Sequence, residues 1–100
     1  MVRLDFIWDL EDDPEGNYWH ICVEGHGVSR EEAEEVLETH YPGQAMSRSS
    51  GRPLVFGWTS TGKYIIISYE DVPGDAPAVY PVTAYEVTPP AGGKTKRRKR

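Results

Sequence analysis

Between Pro53 and Tyr69 the chain runs through two stretches of aromatic and β-branched residues separated by Ser60-Thr61-Gly62. Gly62 tolerates the positive φ that a short hairpin loop demands, so this stretch predicts an antiparallel β-hairpin. Strand side chains alternate, which puts Leu54, Phe56 and Trp58 on one side and Val55, Gly57 and Thr59 on the other. On the return strand Ile65, Ile66 and Ile67 place apolar groups on both sides, as a central strand would. Residues 4–9 predict a first strand, with Phe6 and Trp8 turned to the core, and residues 10–16 an acidic turn. Residues 44–49 predict another strand, followed by a turn at Ser50-Gly51. The last strand is expected over residues 79–87, with Tyr80, Val82 and Ala84 on one face and Thr83, Tyr85 and Val87 on the other. Pro81 has no N–H to donate, so that strand lies at an edge or bulges there.

The period changes twice to that of a helix. Residues 17–23 carry apolar groups at helical spacing, with Asn17 as the expected cap and Gly25 as the stop. Ser29 followed three residues later by Glu32 forms a capping box, which stabilises a helix start by about 1 kcal/mol. Glu31 and Glu32 sit at the positive end of that helix dipole and His40 near the negative end. Ala33, Val36, Leu37 and His40 are expected to be buried, with Glu31, Glu34, Glu35 and Glu38 in water. Tyr41-Pro42-Gly43 ends the helix. The resulting order, β-α-α-β-β-β-β, reads as an α+β fold: a small antiparallel sheet with two helices on one face. Residues 1–88 form a single domain in this reading, and residues 89–100 a disordered basic tail.

Charge changes this picture more than composition does. The net charge is −5, yet the run from Lys94 to Arg100 holds six of the 11 Lys and Arg residues. That leaves five basic against 16 acidic residues, so the body carries −11. Such a body repels polyanions, and any nucleic-acid role must use a local cationic patch or the tail. Cys22 is the single cysteine, which excludes an internal disulfide and points to a reducing compartment. With no membrane-length apolar run and no signal-peptide pattern, a soluble cytoplasmic protein is expected.

No nucleophile elbow, phosphate loop or zinc spacing is present. Asp9, Asp12 and Asp13 lack the glycine and closing Glu of a calcium loop. His20 and His26 are wrongly spaced for adjacent helical turns, so packing or capping is the plainer role for them. No metal or other cofactor is expected. The scarce cations are more suggestive. Arg48 and Arg52 flank Ser49-Ser50-Gly51, and Lys63 follows the hairpin turn. Cleaving a phosphodiester needs positive charge where the transition state gathers negative charge, and a base for the 2′-hydroxyl proton. Arg48, Arg52 and Lys63 could supply the charge, and His20, His26 or Tyr85 the proton transfer. The plainer alternative is that these cations balance nearby carboxylates.

Four segments together resemble one family: Asn17-x-x-His20-Ile21; His26-Gly27-Val28-Ser29-x-Glu31-Glu32-Ala33-x-x-Val36-Leu37; Ser47-Arg48-Ser49-Ser50-Gly51-Arg52-Pro53-Leu54-Val55-Phe56-Gly57; and Thr61-Gly62-Lys63-Tyr64. They resemble the BrnT-like toxins, which are similar to the RelE-like ribonuclease toxins of bacterial type II toxin–antitoxin systems. The resemblance runs from about Asp5 to Val87. It implies a compact β-α-α-sheet fold, metal-independent RNA cleavage that inhibits translation, and neutralisation by a small DNA-binding antitoxin. By matching position, His20 and His26 correspond to the family's polar residues around its first helix, and Arg52 and Lys63 to its hairpin cations. The chain departs from the pattern in a longer step from His20 to His26 and in Thr88-Pro89-Pro90, where many members continue into a basic helix. It also departs in Tyr85, where many members carry an arginine, so a charged phosphate interaction of ~1.5–3 kcal/mol is missing. A catalytically weak or inactive relative that binds a basic partner protein is the alternative reading.

Overall fold

The computed structural model describes residues 4–25 and 27–90. The central hairpin forms as expected. Strand β3 (Pro53–Trp58) pairs antiparallel with β4 (Tyr64–Val72), and Gly62 has φ +93° in the loop between them. β4 is central, with β5 (Ala78–Glu86) antiparallel on its other side. Two two-residue strands complete a five-stranded sheet in the order β1-β5-β4-β3-β2: β1 (Asp5–Phe6) and β2 (Ala45–Met46). The chain is thus α+β, but the sheet is mixed rather than wholly antiparallel, because β1 runs parallel to β5. β1 and β2 are shorter than the alternation of residues 4–9 and 44–49 predicts. β1 pairs at Asp5–Ala78 and Phe6–Val79 and β2 at Ala45–Leu54 and Met46–Pro53, and no local pattern encodes how far such pairing runs.

The helical segments differ in kind. Residues 19–23 form a π-helical turn, Trp19–Val23, and helix α1 spans Arg30–His40. The capping box is complete: Glu32 N–H donates to Ser29 Oγ at 3.1 Å, and Ser29 N–H donates to Glu32 Oε1 at 2.9 Å. Gly25 follows the π-turn where a Cβ would stand 2.3 Å from the Ile21 carbonyl oxygen, so only glycine permits this exit. Asn17, however, is no cap. Its side chain is buried and accepts from Asp9 N–H while donating to the Ile7 and Pro81 carbonyls.

One core joins α1 to the sheet. Ile21, Val28, Ala33, Val36 and Leu37 close on Val55, Ile65, Ile67, Tyr69, Val79 and Ala84, with Phe6 and Trp8 packed at its margin. His40 does not join the buried stripe. It is exposed, its ring lying over Gly57 where a side chain would collide with it. The glutamates expected in water are also partly engaged: Glu34 accepts from Trp8 Nε1 at 2.8 Å, and Glu35 accepts from Ser60 N–H at 3.0 Å. In β5 the predicted faces hold only in part. Pro81 pairs with Tyr69 and Thr83 with Ser68, so Val82 is an extra residue in a bulge. The bulge switches the alternation, and Val79, Pro81 and Ala84 are the buried residues. No helix among the described residues is long and apolar enough to cross a membrane.

Candidate functional site

Among the described residues, helices cover one face of the sheet only. On the other face, alternation presents Leu54, Phe56 and Trp58 from β3, Tyr64, Ile66 and Ser68 from β4, and Thr83 and Tyr85 from β5. A hollow on this bare face is lined by Ser47, Ser49, Ser50, Arg52, Ser68, Thr83 and Tyr85, with Leu54 and Ile66 as its apolar floor.

The segment before β3 aims Arg52 into that hollow. Ser47 and Arg52 close a loop through Ser47 N–H to the Arg52 carbonyl at 2.7 Å, and Gly51 N–H returns to the Ser47 carbonyl at 2.8 Å. Gly51 has φ +74°, which lets the turn close. Arg52 Nε then donates to Glu70 Oε2 at 2.9 Å. Both side chains of this pair are well exposed, so it holds the guanidinium weakly, by about 0–1 kcal/mol. The guanidinium carries further N–H donors besides Nε.

His20 stands beside the hollow rather than in it. Its Nε2 lies 3.5 Å from Thr83 Oγ1, and its Nδ1 lies 3.6 Å from Glu24 Oε1. Thr83 belongs to two depressions at once, the Arg52 hollow and a second one lined by His20, Glu24, Gly25 and Ala84. One continuous surface therefore carries a cation, a phenol and an imidazole.

Lys63 belongs to a different part of the molecule. It donates to Glu32 Oε1 at 3.1 Å and to the Gly27 carbonyl, while Thr61 Oγ1 donates to Glu32 Oε2. Glu32 is itself buried. Burial opposes its ionisation, but hydrogen bonds from Thr61, Ser29 and Lys63 outweigh burial and hold its carboxyl below the usual range. This arrangement ties the hairpin tip to the start of α1. Lys63 is thus a structural cation and not a member of the bare-face group. Arg48 is exposed on the turn before Arg52 but does not line the hollow. His26 lies outside the described residues.

Lys63→Met is expected to cost about 1–3 kcal/mol, because it leaves a buried carboxylate without its counter-charge. Urea unfolding at neutral pH measures this. Since the folded pKa of Glu32 is depressed, its contribution is present above the ordinary value of 4.5 and lost as pH falls through the lower folded value. The Lys63→Met penalty should therefore shrink in acid.

The serines and Thr83 escape sequence reading because small hydroxyl residues carry no spacing signal. Glu70 escapes it because its partner is 18 residues away in sequence. Among the described residues, no group of three or more His, Cys, Asp or Glu side chains is placed to hold a metal ion. Compared with protein-family models, with curated proteins and with solved structures, the chain finds no match.

Proposed function

We propose that this chain is a BrnT-like ribonuclease toxin of a type II toxin–antitoxin pair, cytoplasmic, working from the bare face of its sheet without a metal. The observation that carries this reading is the convergence of Arg52 and Tyr85 on one hollow, with His20 reached through Thr83. In the reaction, the imidazole of His20 takes the 2′-hydroxyl proton of an RNA strand, and the freed oxygen attacks the adjacent phosphorus. The bond from phosphorus to the 5′-oxygen breaks, Tyr85 protonates the departing oxygen, and a 2′,3′-cyclic phosphate remains. Arg52 faces the phosphoryl oxygens as charge gathers there. A small DNA-binding antitoxin would neutralise the protein by covering this face.

The test is cleavage of a single-stranded reporter RNA in the presence of EDTA, alongside growth on expression. Arg52→Ala should lower kcat/KM by about 10²–10³-fold with the fold unchanged, an effect of the size seen when an oxyanion donor is removed. Equal cleavage by wild type and Arg52→Ala would remove Arg52 from the site.

A second reading rests on the ion pairs. Lys63 is committed to Glu32 and Arg52 already touches Glu70, as expected of a non-enzymatic domain whose acidic body meets a basic protein. If wild type neither cuts RNA nor arrests growth, yet binds the protein encoded by the neighbouring gene, this second reading replaces the first.

A further inference from the structure

β2 covers only the beginning of β3. The two strands pair at Met46–Pro53 and Ala45–Leu54, so β3 from Val55 to Trp58 runs along the outside of the sheet. Antiparallel strands exchange bonds at every second residue. Thr59 N–H donates to the Lys63 carbonyl, which makes Gly57 and Val55 the residues of β3 that bond to β4. Phe56 and Trp58 therefore turn their N–H and C=O groups outward, as Leu54 does toward Ala45. Among the described residues, no backbone or side-chain group bonds to those outward groups. The edge lies between two unlike surfaces. On the open face Phe56 and Trp58 are 39% and 48% exposed, and the Tyr64 ring centroid is 5.2 Å from that of Trp58. The exposed Glu70 shares that face, but at the far end of β3, where Arg52 Nε meets it at 2.9 Å. On the helix face Gly57 has no side chain and the His40 ring lies over it, while Glu35 of α1 accepts from Ser60 N–H just past the strand's end. Beside the edge, His40, Gln44, Ala45, Val55 and Phe56 line a hollow of about 200 Å³, room for a side chain and below the ~300–1,000 Å³ of small-molecule pockets.

We propose that the outer edge of β3 captures an extended, basic segment of a partner protein as an added strand, with apolar side chains on Phe56 and Trp58 and alternate Lys or Arg side chains toward α1. Outward N–H and C=O groups in a row are satisfied by extended backbone. Alternation then sets the chemistry of the segment: residues opposite Phe56 and Trp58 lie on the aromatic side, and their neighbours on the side of Glu35. Charge decides between occupants. A body of −11 draws in a basic segment. A second copy paired edge to edge would instead set another α1, with its Glu31, Glu35 and Glu38, beside the same helix, because α1 packs over β3. The inference shares its basic partner with the non-enzymatic reading above and rests on it to that extent. The edge itself is separate from the Arg52 hollow, which Phe56, Gly57 and Trp58 do not line.

Fluorescence anisotropy with a short labelled peptide of alternating valine and lysine tests it. Two control peptides carry glutamate in place of lysine, or methyl groups on alternate backbone nitrogens, and both should lose binding. Phe56→Ala and Phe56→Pro each remove the ring, but only proline also removes the outward N–H, and neither takes away a bond to β4. Phe56→Ala should weaken binding, and Phe56→Pro should weaken it a further ~3- to 10-fold, the worth of one backbone hydrogen bond. Proline is tolerated at a sheet edge, so the thermal melts of the two variants should agree. If Phe56→Pro fails to fold, the methylated peptide puts the same question to wild type. Equal binding of the methylated and unmethylated peptides overturns the added strand, and leaves the basic-partner reading standing if the glutamate peptide still fails to bind. No binding of the lysine peptide at low salt overturns it too. A wild-type dimer in sedimentation that Phe56→Pro dissociates overturns it in favour of a second copy. Binding with the expected pattern, in a protein that also cuts RNA, upholds the edge while the non-enzymatic reading falls.

Discussion

Asn17→Ala should lower the stability of the domain by about 2–4 kcal/mol, a large part of the 5–15 kcal/mol typical of a folded protein. Asn17 is 4% exposed and satisfies three backbone groups through its side chain. Two of these, the Ile7 and Pro81 carbonyls, belong to segments 74 positions apart, so the amide joins the β1 segment to β5 at the bulge. Alanine leaves both carbonyls and the Asp9 N–H without that partner, and a buried polar group stripped of its bond costs about 1–3 kcal/mol. The loss also loosens Asp9, which accepts from Asn17 N–H at 2.9 Å and from the Tyr80 hydroxyl. The Tyr80 bond to Asp9 pushes the phenol up to about 12 and holds the Asp9 carboxyl below its usual range. Urea denaturation monitored by tryptophan fluorescence reads the loss. A midpoint within experimental error of wild type would mean that water replaces the amide at no cost.

Gly43→Ala should be of similar size, about 2–4 kcal/mol, for a steric reason. A Cβ on Gly43 would stand 2.1 Å from the Leu54 carbonyl oxygen and 2.8 Å from its carbon. Those are backbone atoms of β3, held in the sheet by its pairing with β4, and they cannot swing aside. Gly43 N–H also donates to the hydroxyl of the fully buried Tyr69 at 2.8 Å, so displacing residue 43 breaks that bond too. The comparison is Gly57→Ala, where the new methyl meets the buried Val36 Cγ1 at 3.1 Å and, more closely, the far end of the exposed His40 side chain. That ring can rotate away, and the loss should be smaller. Thermal melts of the two variants side by side check the order, and a Gly57→Ala loss equal to that of Gly43→Ala would contradict the backbone argument.

The family resemblance makes Arg52 and Lys63 equivalent hairpin cations, and the structure separates them. Lys63 lies at the tip, where the hairpin meets the N-terminus of α1, and the buried carboxylate it meets there is Glu32 of the capping box. The same glutamate that is legible in the sequence as a helix start thus captures the lysine. Nothing in the local pattern near Lys63 could announce this, because Glu32 is 31 residues away. Arg52 and Tyr85 come together only because β3, β4 and β5 lie side by side in the sheet, which brings residues far apart in sequence onto one face.

The elements themselves were set by the chain's local chemistry: a glycine able to turn, β-branched runs on either side, a serine and glutamate spaced to cap a helix, and a proline that demands an edge or a bulge. Each is a short-range steric or hydrogen-bonding demand, and each acts within a few residues. Tertiary structure decided the rest. It made β1 parallel, turned Asn17 from a cap into a cross-link, brought His40 to the surface, and assigned Arg52 and Lys63 to different parts of the molecule. Those outcomes depend on which surfaces meet when the core closes, and that is settled by long-range burial, where a one-residue bulge or a single buried carboxylate redirects its neighbours.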